Sequence, residues 1–307
     1  MRKKIIIFAV IVVAAIIFIK LVLPIFNLGS SGSSVFSTVS TTTSSTVENY
    51  DNELKKMPAR DWSVLDPNLS AEGILMESLD NNFSFYRYNA YKMWHLASLT
   101  KLITAVVVVE NVGLDKRIPI STSTMTVEGE AGNLEAGEVY NSEDLLKIML
   151  MESSNRAAAA FEEYIGSDKF LSLAKETMSK IGMTQTVIYD SSGLNDANEG
   201  TASDIYLLLK YILENDPEIL TWTRLTTLSV QPLNSSRINI VSNIDPIASR
   251  ADFLGGKTGT TPAAKENLAT VLEFKNQRIV GVILGSNSRF DDLNTLLKWI
   301  STAYKFY

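Results

Sequence analysis

The chain has 307 residues with 28 basic and 34 acidic side chains, a formal net charge of −6, one histidine and no cysteine. Without cysteine, a disulfide framework, a thiolate metal site, an iron–sulfur cluster and a cysteine nucleophile are excluded, and one histidine cannot build a multi-histidine metal site. All acidic residues follow residue 47, so residues 48–307 hold 24 basic and 34 acidic side chains, which argues against a nucleic-acid partner. No metal or cofactor is expected.

The amino-terminal segment is predicted to be a membrane anchor. Residues 5–26 are apolar apart from Lys20 and follow three basic residues. A helix over them would reach roughly 33 Å, enough for a bilayer core of about 30 Å. The positive charges predict a cytoplasmic tail over residues 1–4 and a catalytic domain on the outer face of the membrane, periplasmic or extracellular. No A-x-A cleavage signal follows, so an uncleaved single-pass signal anchor is favoured over a cleaved signal peptide.

A flexible linker and one folded domain are predicted after the anchor. The linker covers residues 27–59, and its first part, residues 27–50, is dominated by serine, threonine and glycine. Such a composition lacks the large apolar side chains that bury a core. The remaining residues, 60–307, contain no fixed repeat and no second linker, so they are predicted to form a single catalytic domain.

The first half of this domain is predicted to be a hairpin followed by helices. Residues 73–78 and 83–89 flank a short acidic turn, which is typical of a hairpin. Residues 99–112 are apolar nearly all round and too long for a typical strand, so they predict a buried helix. Ser142, followed by two acidic residues, is interpreted as the N-cap of a helix reaching Met151. Further helices are predicted over 155–165, over 167–181 and from Ser203-Asp204 onward.

The second half returns to strands and ends with a helix. Strands are predicted near residues 226–230, 238–242 and 252–258, then a hairpin of 268–274 with 279–285, and a closing helix over 291–304. Strands at both ends with helices between them predict a mixed α/β fold of the α+β type. In it, one antiparallel sheet is flanked by helices, with a helical subregion in the middle.

The candidate chemistry begins with Ser98 and Lys101. At a spacing of three residues on a helix, the hydroxyl and the amine lie on one face within hydrogen-bonding reach. Apolar surroundings would lower the pKa of the lysine and make it a base, which is a way to activate a serine without histidine. The spacing alone is weak evidence. The same spacing recurs at Ser172 and Lys175, which we interpret as a solvated helix face.

Two further motifs strengthen this interpretation. Ser153-Ser154-Asn155 is the only S-x-N in the chain and lies between two predicted helices, while Lys257-Thr258-Gly259 is the only K-T-G and ends a predicted strand. Each motif alone has a structural explanation. Ser153 would cap the next helix, and the glycines between Gly255 and Gly259 would mark a loosened strand or a β-bulge. The order S-x-x-K, S-x-N, K-T-G on suitable elements indicates a serine acyl-transfer site.

With their surroundings these motifs resemble the serine-type D-alanyl-D-alanine carboxypeptidases. These enzymes are low-molecular-weight penicillin-binding proteins and share a fold with the serine β-lactamases. The resemblance spans residues 72–304 and includes Ala97 to Lys101, Ser191 to Leu194 and Gly256 to Gly259. It implies a β-lactamase/transpeptidase-like fold and removal of the terminal D-alanine from peptidoglycan stem peptides through an acyl-enzyme. It also implies β-lactam antibiotics as covalent inhibitors.

The resemblance assigns a role to each motif residue. Three would act in the chemistry: Ser98 as nucleophile, Lys101 as general base and Ser153 as proton relay. The substrate-binding residues would be Asn155, Lys257, Thr258, Gly259 and Thr260. Asn155 would hold the substrate backbone, and Lys257 and Thr258 would recognise the terminal carboxylate. Gly259 would let the substrate lie beside the strand. The backbone amides of Ser98 and Thr260 would form the oxyanion hole.

Some residues depart from the family pattern, and two other functions stay open. Leu96 replaces a frequent proline and Arg156 a frequent acid, which leaves the substrate preference undecided. His95 is expected to be a packed or surface residue rather than part of a triad. A β-lactamase-like hydrolase would need a deacylating glutamate, which residues 185–198 lack. A catalytically silent cell-wall-binding module would keep the motifs in a closed cleft. Carboxypeptidase and endopeptidase activity are not distinguished.

Overall fold

The computed structural model describes residues 57–306, in which helices and strands follow one another from Ala59 to Lys305. The strands are β1 (Ala59–Arg60), β2 (Gly73–Ser78), β3 (Ser84–Tyr88), β4 (Trp94–His95), β5 (Arg117–Pro119), β6 (Val139–Asn141), β7 (Glu199–Gly200), β8 (Thr227–Val230), β9 (Asn239–Ser242), β10 (Phe253–Thr261), β11 (Lys265–Phe274), β12 (Gln277–Ser286) and β13 (Tyr304–Lys305). The helices are α1 (Thr100–Asn111), α2 (Ser142–Met151), α3 (Asn155–Ile165), α4 (Ser167–Ile181), α5 (Ala202–Asn215), α6 (Glu218–Thr223) and α7 (Arg289–Ala303).

The anchor predicted over residues 5–26 lies outside the described residues. Within residues 57–306, every helix is too short or too polar to cross a membrane.

A five-stranded antiparallel sheet organises the domain, in the order β10-β11-β12-β2-β3. Strand β2 comes from the start of the domain and pairs with β12 from its end, with Ile74 opposite Ile283. The predicted sheet of sequence-distant strands is therefore confirmed. Because β10 is at one edge of this sheet, its outer side is available to another extended chain.

The sheet separates two apolar layers, as the two-residue period of a strand requires. Along β2, Ile74 and Met76 pack on one face with α7, while Leu75 points to the other face and joins the core around α1 and α5. The helical subregion of α2, α3 and α4 packs against α1 on that second side. Helix α1 is thus buried from Thr100 to Val108, which explains the nearly continuous apolar sequence there.

The predicted helices and hairpins are confirmed, but α7 begins at Arg289, two residues before its predicted start, and two other helices are capped differently from prediction. Asn141, not Ser142, caps α2 by accepting a hydrogen bond from the Glu143 amide at 2.9 Å. The Ser142 hydroxyl is buried and instead donates to the Gly113 carbonyl at 2.7 Å. Likewise Thr201 caps α5, so this helix begins one residue before Ser203. In both places a neighbouring side chain of similar capping strength has the extended backbone that a cap requires.

Candidate active site

Ser98 lies in the single helical turn Ala97–Leu99, immediately before α1. The preceding Ala97 has a φ of +47°, a left-handed conformation that an alanine rarely adopts. The loop at Gly193 packs directly on it, since a Cβ added to that glycine would lie 1.9 Å from the Ala97 carbonyl oxygen. Backbone packing on both sides therefore holds the nucleophile candidate in one position.

Lys101 is fully buried in the first turn of α1, and its Nζ has three oxygen neighbours. Nζ lies 2.9 Å from Ser98 Oγ, 2.7 Å from Asn155 Oδ1 and 2.6 Å from the Ser192 carbonyl oxygen. The amide and carbonyl oxygens can only accept hydrogen bonds, whereas the Ser98 hydroxyl can also donate one. A neutral amine would give its two protons to those two acceptors and direct its lone pair at the Ser98 hydroxyl.

The surroundings favour that neutral form. Burial lowers the pKa of Lys101 well below its ordinary value, and the nearby charge of Lys257 lowers it further, while Asp190 raises it. A charged amine is disfavoured where it loses its hydration and meets a second cation. The pair therefore has the geometry of a base next to its serine, in surroundings that favour the neutral amine.

The second motif forms the turn between α2 and α3, and its two serines make different contacts. Ser154 caps α3 by accepting from the Ala157 amide at 3.2 Å, so the capping role proposed for Ser153 is wrong. Ser153 has a φ of +58° and accepts a hydrogen bond from Lys257 Nζ at 2.9 Å. Asn155 accepts from Lys101 and donates to the Glu128 carbonyl at 3.0 Å. The strained turn points Ser153 towards the strand opposite.

That strand is β10, and the third motif lies in its middle rather than at its end. Lys257 is 2% exposed, and burial lowers its pKa to about 7, while Asp245 raises it and Arg289 lowers it further. Its Nζ donates to the Ser153 hydroxyl and to the Thr258 carbonyl at 2.8 Å. Lys257 therefore joins the second motif to the third.

Strand β10 approaches the nucleophile at Gly259. A Cβ there would lie 3.0 Å from the Leu96 carbonyl oxygen and 3.2 Å from the Ser98 amide nitrogen. Any larger residue would push the strand away from Ser98, which is a further reason for glycine at this position. A cleft of about 220 Å³ lies between strand β10 and the turn that carries Ser98. Its lining includes Ser98, Ser153, Thr258, Gly259, Thr260 and Arg289. All three motifs meet at this cleft.

Two groups of the site were not predicted from sequence. Arg289 donates to Thr260 Oγ1 at 2.6 Å and to the Gly259 carbonyl at 2.8 Å, which places a cation beside the outer end of the third motif. It opens α7, where a positive charge opposes the helix dipole, and this unfavourable position is a signal that sequence reading could have used. The Ser192 carbonyl is the other group, and a backbone acceptor leaves no side-chain signature.

The other candidate residues lie away from this chemistry. The His95 ring contacts the Asp196 carbonyl, and its Nδ1 lies 3.3 Å from a Glu199 carboxylate oxygen, in agreement with the packed or surface position predicted for it. Ser172 and Lys175 are exposed on α4, as expected. Arg156 donates through Nε to the Val127 carbonyl at 3.3 Å. Across residues 57–306, no three His, Cys, Asp or Glu side chains are grouped in a way that could hold a metal ion.

The comparisons with known proteins establish the family of this chain. The sequence profile of peptidase family S11, D-alanyl-D-alanine carboxypeptidase, matches residues 61–288, and the chain belongs to this family. The chain is 27% identical over 281 residues to D-alanyl-D-alanine carboxypeptidase DacC of Escherichia coli, an alignment covering 83% of this chain and 63% of DacC.

Two further matches bear on activity and fold. A D-alanyl-D-alanine endopeptidase of Escherichia coli is 25% identical over 254 residues, covering 77% of this chain and 79% of that protein. The crystal structure of a D-alanyl-D-alanine carboxypeptidase from Mycobacterium tuberculosis superposes with a TM-score of 0.72 at 21% identity, covering 79% of this chain and 95% of that one. The transpeptidase-like fold expected from the sequence is thereby confirmed.

Proposed function

We propose that this protein is a serine-type D-alanyl-D-alanine carboxypeptidase that removes the terminal D-alanine from peptidoglycan stem peptides. The observation that carries the proposal is the buried Lys101 amine, 2.9 Å from Ser98 Oγ, with its other two neighbours restricted to acceptors. Family membership supplies the substrate class.

The reaction begins when Lys101 takes the proton of Ser98 as Oγ attacks the carbonyl carbon of the penultimate D-alanine. Negative charge then develops on the carbonyl oxygen, and the backbone amides of Ser98 and Thr260 stabilise it, at about 3 kcal/mol for each donor. The peptide bond breaks, and the proton that Lys101 took passes to the departing nitrogen through Ser153, which Lys257 holds by a hydrogen bond. Water then hydrolyses the ester and regenerates Ser98.

The cleft favours carboxypeptidase over endopeptidase activity, because it is suited to bind the free terminal carboxylate of the substrate. Arg289 places a cation beside the Thr258-Gly259-Thr260 segment and orients the Thr260 hydroxyl, while Lys257 supplies an amine donor at the start of the segment. A free carboxylate in the cleft gains charge-assisted hydrogen bonds there that an internal peptide bond does not. The substrate backbone adds to the outer edge of β10 as an extra strand.

The test is release of D-alanine from a peptide ending in D-Ala-D-Ala, together with covalent labelling by a fluorescent penicillin. We expect both with the wild type and neither with Ser98→Ala. Cleavage of cross-linked dimeric peptides without release of terminal D-alanine would assign endopeptidase activity instead. A properly folded wild type that shows neither labelling nor cleavage would make the protein a silent cell-wall-binding module.

A β-lactamase is disfavoured because Asp190, a carboxylate whose charge acts on Lys101, already accepts several hydrogen bonds. The Asp190 carboxylate accepts hydrogen bonds from the amides of Ser192, Gly193 and Asn195, each at 2.6 Å. These bonds shape the loop that supplies the Ser192 carbonyl, and they leave little capacity to activate water. We therefore expect a penicilloyl-enzyme that persists for many turnovers of the peptide substrate, measured by mass spectrometry over time.

We also propose that residues 5–26 anchor the protein in the membrane, with the catalytic domain on the outer face. The support is the apolar length of this segment and the basic residues before it. Full-length protein should sediment with membranes after carbonate extraction, whereas a variant beginning at Asp51 should be soluble and still bind penicillin. A mature secreted protein starting within residues 30–47 would contradict the anchor but not the enzymology.

A further inference from the structure

A buried carboxylate, that of Asp245, lies in the wall of the catalytic cleft, and the reaction described above does not use it. The residues on either side of it, Ile244 and Pro246, both line the cleft. Asp245 itself is 7% exposed. Its Oδ1 accepts a hydrogen bond from the Ile247 amide at 3.1 Å, whereas its Oδ2 has no hydrogen-bond partner among the described residues.

The contact with the Ile247 amide does not explain why this residue is an acid. Through that contact Asp245 caps the short helical turn Pro246–Ser249. Asparagine or serine would supply a capping oxygen equally well. A buried carboxylate costs free energy that these neutral side chains avoid, unless nearby cations offset the cost. The charge of Asp245 therefore points to a role other than capping.

The segment that carries Asp245 contacts the same two elements that Lys257 joins. On one side, the Ile244 amide donates to the carbonyl of Met151 at 3.0 Å, two residues before Ser153. On the other side, the helical turn that Asp245 caps packs against β10, the strand of Lys257. Asp245 is therefore held against both the turn of the second motif and the strand of the third.

The charges of this cluster act on one another. Burial raises the pKa of the Asp245 carboxyl, while the amide that it caps and the charges of Lys257 and Arg289 lower it. In return, Asp245 raises the pKa of Lys257, against burial and Arg289. Lys101 is the other amine in reach of the Lys257 charge, and Glu266 pairs with Arg289 at 3.2 Å. Of the described groups whose charges act on Lys257, Asp245 is the one that favours the ammonium form.

From this arrangement we propose that Asp245 is a positioning residue, whose buried carboxylate keeps Lys257 in the ammonium form that binds the terminal carboxylate of the substrate. The inference rests on the proposed function. A neutral amine has two hydrogens, and Lys257 already directs donors at the Ser153 hydroxyl and the Thr258 carbonyl. Only the ammonium has a third donor left for the substrate. Without the charge of Asp245, a smaller fraction of the enzyme has this donor at and above neutral pH.

The experiment measures kcat/KM against pH with a peptide ending in D-Ala-D-Ala, for the wild type and for Asp245→Asn. The asparagine oxygen can still cap the turn, so this variant removes the charge and keeps the shape. Because kcat/KM reports the free enzyme, its fall at high pH should follow the loss of the Lys257 proton. We expect Asp245→Asn to move this fall to lower pH by about one unit, which at pH 8 is about a 10-fold lower kcat/KM.

Two further readouts distinguish this effect from general damage to the fold. The loss at pH 8 should appear as a higher KM with little change in kcat, because the missing ammonium weakens binding of the carboxylate. The rise of kcat/KM at low pH, which follows Lys101, should stay in place. An NMR titration of the protein with ¹³C-labelled lysine, with Lys257→Met to assign the signal, should show the same shift for Lys257 without any turnover.

Asp216→Asn is the matched control. Asp216 is also 7% exposed with an Oδ2 that lacks a partner among the described residues, and burial raises its pKa to about 6. The charges that act on it are those of Glu110, Glu218 and Lys180. Removing this carboxylate should therefore leave the pH profile of kcat/KM unchanged.

Three results would overturn the inference while leaving the proposed function in place. They are a fall of kcat/KM at the same pH in the wild type and Asp245→Asn, an equal shift in Asp216→Asn, and a loss by one factor at every pH, which marks a structural role. A wild type that releases no D-alanine at any pH would instead overturn the proposed function, and this inference with it.

Discussion

Two segments of this protein carry the same S-x-x-K spacing, and they have opposite environments. Ser98 lies immediately before α1 and Lys101 in its first turn, where the lysine has lost all contact with water and has three oxygen neighbours. Ser172 and Lys175 lie on the exposed face of α4, where the serine donates only to Glu176 at 3.4 Å. The spacing is the same in both segments, but only Ser98 and Lys101 are joined by a hydrogen bond. Only desolvation and the choice of partners make one of the two lysines a base.

Removing the serine tests this contrast with the largest expected effect. Ser98→Ala should abolish penicillin acylation and reduce peptide turnover by at least about 10³-fold, because no other nucleophile can replace Oγ. Ser172→Ala should retain wild-type rates. Mass spectrometry of the labelled peptides shows which serine is acylated. A label on Ser172, or labelling that persists in Ser98→Ala, would contradict the assignment of Ser98 as the nucleophile.

Exchanging the lysine for arginine separates charge from basicity. Lys101→Arg should reduce acylation by about 10²-fold or more, nearly as much as Lys101→Ala, because a guanidinium stays protonated and cannot accept the hydroxyl proton. Lys175→Arg should change nothing. Stopped-flow acylation rates provide the measurement. A Lys101→Arg variant that acylates close to the wild-type rate would remove Lys101 from the role of base.

Two glycines of positive φ allow the same comparison for the backbone, since one lies beside the Ser98 turn and the other at the end of α4. Gly193, at φ +85°, lies against the Ala97 carbonyl, whereas Gly182, at φ +89°, ends α4 with Leu207 3.9 Å away as its nearest neighbour. Gly182→Ala should cost about 1 kcal/mol, the ordinary cost of alanine in this conformation. Gly193→Ala should cost about 3 kcal/mol or more, because the backbone must also move.

The measurement is urea denaturation of both variants, with the acylation rate as second readout. Gly193→Ala should slow acylation because Ser98 moves with Ala97, and Gly182→Ala should not. Equal losses of stability in the two variants would show that the contact at Ala97 does not hold the nucleophile in place.

The buried lysine of the third motif adds a pH dependence that no surface lysine has. The pKa of Lys257 is lowered to about 7 from 10.5. Between pH 7 and pH 10.5 the unfolded chain therefore holds a proton that the folded protein does not, and stability rises with pH by up to about 1.4 kcal/mol per unit. Lys257→Met lacks this cost, so its advantage over the wild type should be greatest at and below pH 7 and shrink towards pH 10.

Urea denaturation at pH 7, 8 and 9 measures the difference between the two proteins. Lys175→Met is the control, and its difference from the wild type should stay constant with pH. If the difference for Lys257→Met were equally constant, burial would not be shifting the protonation of Lys257.

The elements of this protein could be predicted from sequence because their signals are local. The apolar runs over 268–274 and 279–285 on either side of a polar turn, and the long apolar run over 99–112, are each visible within a short stretch of sequence. The motifs were equally visible, since each is contiguous. Helix caps were less certain, because Asn141 and Ser142, or Ser153 and Ser154, compete for one position and only the backbone conformation decides between them.

What the sequence by itself determined, then, is the order of strands and helices and the identity of the side chains able to carry the chemistry. The tertiary structure decided which serine–lysine pair is desolvated, that Ser192 supplies a backbone acceptor 91 positions from Lys101, and that Arg289 reaches the third motif from α7. The physical reason is the distance along the chain over which the relevant contacts act. A helix or strand is set by contacts within one turn or one pleat, whereas the pKa of a buried amine depends on every atom that packing brings around it, from anywhere in the chain.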